Sequence, residues 1–60
     1  MNSASFMKVY ANLPVALRNE IIVVIDGVGP ITWNVAYIEI NNETDLGTKI
    51  LERLEEMEII

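Results

Sequence analysis

Ile21-Ile22-Val23-Val24-Ile25-Asp26-Gly27-Val28-Gly29-Pro30-Ile31 is the stretch on which the fold of this chain turns. Its first five residues are all apolar and all β-branched, the side-chain class that fits a pleated surface. Five apolar residues in a row place apolar side chains on both faces of a strand, so Glu20–Asp26 reads as a strand that needs cover on each side. Asp26-Gly27 and Gly29-Pro30 are turn pairs. The connection is too short for a crossover, so whatever strand follows must return antiparallel.

Working outward, Ile31 to Ile40 continues as that returning strand. Ile31, Trp33, Val35 and Tyr37 fall on one face, and Thr32, Asn34, Ala36, Ile38 and Ile40 on the other. The apolar emphasis changes face near Val35–Ile38, which a bulge or a change of neighbour would explain. Upstream, Phe6-Met7-Lys8-Val9-Tyr10 reads as a short strand, with Met1–Ser5 frayed ahead of it. Pro14 breaks that strand and suits a first helical turn. Leu13, Leu17 and Ile21 recur at four-residue spacing, so Val15–Asn19 is read as one or two helical turns. Downstream, Asn41–Asp45 ends the sheet. Asn42 or Thr44 offers a side-chain cap, and Asp45 sits well at the positive end of a helix dipole. Leu46, Ile50, Leu51, Leu54 and Met57 then form one apolar stripe of a carboxy-terminal helix, with Glu52, Glu55 and Glu56 off it. Gly47 in the first turn would permit close packing on the sheet.

The fold class that results is α+β: a small three-stranded, mainly antiparallel sheet in the order strand, short helix, strand, strand, helix. The carboxy-terminal amphipathic helix packs on one face, all 60 residues forming a single domain. The second face of the sheet has no cover within so short a chain, and a second copy would supply it.

Composition points the same way. The chain has 52% hydrophobic residues, no cysteine and no histidine. Disulfides, thiolate metal sites and imidazole ligation are thereby excluded, leaving self-association or an unusually well-packed single core to stabilise so small a domain. A homodimer or higher oligomer is the expected state. Ile22, Val24, Trp33, Ile38, Ile40, Ile59 and Ile60 are the residues expected to contribute to its interface, with Trp33 the natural anchor.

Net charge is −5, all of it in the second half. Lys8 and Arg18 balance Glu20 and Asp26 in residues 1–30. Lys49 and Arg53 stand against Glu39, Glu43, Asp45, Glu52, Glu55, Glu56 and Glu58 in residues 31–60. An acidic surface repels phosphate backbones, so nucleic acid is a disfavoured partner. No run of apolar residues is long enough to span a membrane. With no export signal and no cysteine the expected location is cytoplasmic. Absent glutamine, abundant isoleucine and massed helix charge are compatible with a thermophile, against which stand six asparagines.

No motif specifies a reaction. Gly27-Val28-Gly29 lacks the third glycine and the following helix of a dinucleotide fingerprint, and Pro30 with a strand follows instead. Trp33 and Tyr37 would form a base-stacking platform only with basic neighbours, which are scarce. Asn42-Glu43-Thr44 matches a glycosylation sequon by chance in a chain without an export signal. The function expected is a small oligomeric binding or assembly module, its partner itself or another protein, with no cofactor and no metal. Two alternatives need specific convergences. A carboxylate-based enzyme or enzyme subunit, its site formed between chains, needs two of Glu20, Asp26, Glu39, Tyr10 and Tyr37 in one pocket. An antitoxin-like or nucleic-acid-associated regulator needs Lys8, Arg18, Lys49 and Arg53 on one face.

Overall fold

The computed structural model describes residues 3–60. Three helices cover one face of a two-stranded antiparallel hairpin, in the order α1 (Ser3–Asn12), a 3-10 helix (Val15–Asn19), β1 (Ile21–Ile25), β2 (Gly29–Thr32), α2 (Trp33–Asn41) and α3 (Asp45–Glu56). The fold is α+β as expected, but the sheet has two strands, not three.

The hairpin forms for the reasons its sequence gives. Val28 N–H donates to the Ile25 carbonyl at 3.0 Å, closing a four-residue turn. Gly27, third in that turn, has φ 81°, the value a type II turn demands of this position. Ile25 pairs with Gly29, Val24 with Pro30, Val23 with Ile31 and Ile21 with Thr32, which leaves Ile22 without a cross-strand mate. That bulge shifts the alternation by one residue. Ile22, Val23 and Ile25 turn toward the helices, while Ile21 and Val24 turn out, at 61% and 62% exposure.

Two expected strands are helices. Residues Phe6–Tyr10 lie in α1, and Ser3–Ser5, expected to fray, form its first turn; Met1 and Asn2 lie outside the described residues. As a strand, this segment would put Lys8 on the face that buries Phe6 and Tyr10, leaving an ammonium without a partner in the core. The helix turns Lys8 to solvent and keeps Phe6, fully buried, one turn from Tyr10 with ring centroids 6.1 Å apart. The second correction is at Trp33–Asn41, expected to extend the returning strand. Thr32 ends β2 and caps α2, its hydroxyl accepting from Val35 N–H at 3.2 Å. Trp33, Ala36, Tyr37 and Ile40 then fall at helical spacing and all face the core, whereas the strand reading divides them between two faces. The change of apolar face noted at Val35–Ile38 is this helix.

The carboxy-terminal helix is where it was expected, and Thr44 is its cap, accepting from Gly47 N–H at 2.9 Å. Thr44 Oγ1 also donates to the Glu39 carboxylate at 2.7 Å, pinning the three-residue link between α2 and α3. Gly47 packs against α2 rather than the sheet: a Cβ there would run into the Glu39 carbonyl and the Ile40 backbone. Ile50, Leu51 and Leu54 carry α3 into the core beside Phe6, Val23, Ile25, Ile31, Ala36 and Ile40.

With 3921 Å² of surface and a radius of gyration of 10.3 Å, one copy is as compact as a free monomer of its mass, for which scaling gives about 3,950 Å² and ~10.4 Å. What sets it apart is the kind of surface it shows. On the face of the hairpin away from the helices stand Ile21, Val24 and, at the turn, Val28 at 56% exposure. Val15 on the 3-10 helix and Val35 and Ile38 on α2 are also exposed.

Candidate functional site

Two constellations stand out among the described residues: an aromatic cluster and a groove. The cluster arises because helical spacing aligns Phe6 with Tyr10 on α1 and Trp33 with Tyr37 on α2. Phe6 stacks on Trp33 at 5.9 Å between centroids, and Tyr10 on Tyr37 at 4.5 Å with planes 14° apart. The Arg18 guanidinium sits 4.3 Å over the far side of this arrangement, on the Tyr10 ring, and Nη2 donates to the Tyr10 carbonyl near the end of α1 at 3.1 Å. Tyr10 Oη donates to Asn34 Oδ1 at 2.8 Å, and Asn34 Nδ2 donates to Asn19 Oδ1 at 3.0 Å. Every ring in the cluster is paired with another ring. Its chemistry is that of a clamp joining α1, the 3-10 helix and α2, and the stacking platform considered for Trp33 and Tyr37 is used internally.

The groove lies between β1 and α3. Val24, Ile25 and Asp26 form one wall and Lys49, Glu52, Arg53 and Glu56 the other, around an open space of about 620 Å³. The helix wall alternates in sign along the chain. Arg53 Nη1 reaches Glu56 Oε2 at 3.3 Å, an exposed pair worth little on its own. The strand wall is a free edge, since among the described residues β2 is the only strand bonded to β1.

The chain matches no family model, no curated protein and no solved structure.

Geometry therefore has to speak for itself. Of the residues expected at an interface, Val24 is the most open and borders the groove. Ile38 stands exposed on α2, and Ile59 is exposed after α3. Ile22, Trp33 and Ile60 are partly buried against the core, and Ile40 is inside it at 4% exposure. Sequence reasoning missed Ile21 and Val28 as exposed apolar residues. The bulge at Ile22 is what turns Ile21 outward, and no residue type in the strand announces it.

The residues named for a carboxylate site are dispersed. Tyr10 and Tyr37 stack in the clamp, Glu39 holds Thr44, Glu20 precedes β1, and Asp26 borders the groove. Among the described residues no group of three or more acidic side chains is placed to hold a metal ion. Of the four cations, Lys49 and Arg53 share the groove, Arg18 belongs to the clamp and Lys8 is exposed on α1. No helix among the described residues is long and apolar enough to cross a membrane.

Proposed function

We propose that this chain is a small cytoplasmic assembly module, acting by protein–protein association, with a homo-oligomer as its working form. One observation carries the reading. The face of the hairpin opposite the helices bears Ile21, Val24 and Val28, each more than half exposed. The helices pack on the other face, and exposed apolar side chains beside an open strand edge are the kind of surface that other protein covers. The protein spends its aromatic residues on internal clamping, so its outward-facing chemistry is aliphatic and suited to packing rather than to recognising a small polar ligand. The excess of carboxylates keeps phosphate-bearing partners away.

The experiment is solution mass by light scattering across a dilution series from millimolar to micromolar chain. The reading expects a mass above that of the 6.8 kDa chain that falls on dilution. A mass of one chain throughout the series overturns it.

A further inference from the structure

The groove and the strand edge identify the mode of association. Trp33 N–H donates to the Glu20 carbonyl at 3.2 Å, so the backbone at Trp33 turns toward the β1 side at the end of the hairpin, while Glu20 N–H goes to the Leu17 carbonyl at 3.0 Å. Hydrogen-bonded and non-bonded pairs alternate along an antiparallel ladder. Along β2, then, Ile31 and Gly29 turn their backbone groups toward β1, and Thr32 and Pro30 turn theirs away. Val24, opposite Pro30, likewise points its N–H and C=O away from β2, into the groove side. The two edges of the hairpin differ as a result. On β2 the outward positions are Pro30, which has no N–H to offer, and Thr32, directly after which the strand passes into α2. That edge is closed to pairing. On β1 Ile21 and Val24 are the outward positions, and Val24, in mid-strand, turns both its donor and its acceptor away from β2.

The wall of α3 beside that edge reads, from Lys49 through Glu52 and Arg53 to Glu56, as plus, minus, plus, minus. Reversed in direction, the same series is minus, plus, minus, plus. Two copies of this wall brought together antiparallel therefore set every charge opposite its complement: Lys49 with the partner's Glu56, and Glu52 with the partner's Arg53. Self-complementarity of this kind is what a two-fold interface requires. Self-approach there also meets little repulsion, because the groove holds only −1 of the chain's net −5. A strongly basic or acidic foreign peptide finds no matching field there.

Resting on the assembly reading above, we infer that two copies pair through the free edge of β1, antiparallel about a two-fold axis at Val24, to make one continuous four-stranded sheet with α3 facing α3 beneath it. Val24 N–H donates to the partner's Val24 carbonyl, and the Val24 carbonyl accepts from the partner's Val24 N–H. The two Val24 side chains come together on the bare outer face, which becomes a single apolar surface. An interface of standard size, about 800 Å² per partner, would occupy a fifth of the 3921 Å² surface.

The test uses the unaltered chain and two charge variants, Lys49→Glu/Arg53→Glu, whose wall is all negative, and Glu52→Lys/Glu56→Lys, whose wall is all positive. All four positions are solvent-exposed, and circular dichroism verifies folding. Each variant alone is expected to associate at least about tenfold more weakly than the parent, and an equimolar mixture of the two to recover association as a heterodimer. In the unaltered chain the Val24 amide is expected to exchange its hydrogen more slowly as concentration rises. A parent oligomer whose mass neither variant alters and whose Val24 exchange ignores concentration overturns edge pairing while leaving the assembly reading standing. A parent that stays a single chain at every concentration overturns both.

Discussion

Tyr10 of α1 donates its phenolic hydrogen to Asn34 of α2 across 2.8 Å, and the same ring stacks on Tyr37 and carries the Arg18 guanidinium 4.3 Å from its centre. One side chain thus holds the amino-terminal helix to the rest of the molecule by three kinds of contact. Removing only the hydroxyl separates them. Tyr10→Phe keeps the ring stack and loses the hydrogen bond, and is expected to lower unfolding free energy by about 1 kcal/mol in a urea titration. Tyr10→Ala loses the stack as well and is expected to cost ~3 kcal/mol or more.

The parts of this fold legible in the sequence are those where local preference and tertiary demand agree. Ile21–Ile25 is β-branched throughout, Asp26-Gly27 turns, and the stripe Ile50, Leu51, Leu54 follows a threonine cap. Phe6–Tyr10 and Trp33–Asn41 are the places where they conflict. Both are rich in aromatic and β-branched residues, whose intrinsic leaning is toward strands, yet burial decides in favour of helix. The residues themselves carry the helical signal: Trp33, Ala36, Tyr37 and Ile40 follow the i, i+3, i+4, i+7 template, and a strand containing Phe6 and Tyr10 would bury Lys8. The apolar character of the candidate site was readable at Val24, whereas its geometry was not. Which edge of the hairpin stays open depends on the pairing of Pro30 with Val24, and register is a relation between segments rather than a property of either one.

Gly47 is a packing requirement rather than a helix defect. In isolation, alanine at this position would favour the helix by about 1 kcal/mol. Here its methyl group would meet the backbone of Glu39 and Ile40, which cannot swing aside as a side chain can. Gly47→Ala is expected to lower stability by ~1–3 kcal/mol, read as a drop in thermal midpoint. An unchanged or raised midpoint would mean that α2 and α3 slide apart freely.

Glu43 has φ 54°, in the left-handed region, within the short link from α2 to α3. Any residue with a Cβ pays about 1–2 kcal/mol there, while glycine costs roughly 0.5–1 kcal/mol through the entropy of the unfolded chain. The balance favours glycine. Glu43→Gly is expected to stabilise by about 0.5–1 kcal/mol, and Glu43→Ala to leave stability near that of the parent, since alanine keeps the strain. Equilibrium denaturation of the pair checks both, and a destabilised glycine variant would show that the Glu43 side chain itself matters.

Ile21 and Val24 separate folding from association more cleanly than any other residues in the chain. Both are apolar, both belong to β1, and both stand with more than half their surface in water. Replacing them by threonine keeps the β-branched shape and the strand preference while adding a hydroxyl that water can satisfy. Because the monomer buries little of either side chain, Ile21→Thr/Val24→Thr is expected to change unfolding free energy by no more than about 0.5 kcal/mol at high dilution. At high concentration the same pair removes apolar surface from the contact, and dissociation is expected to become easier by an order of magnitude or more, at ~25 cal/mol per Å² of apolar area left wet. Sedimentation velocity reads the second effect and dilute thermal unfolding the first. A variant that loses stability even when dilute would place these side chains in the fold of the single chain; one that associates as the parent does would show that the Ile21 and Val24 side chains take no part in the contact between copies.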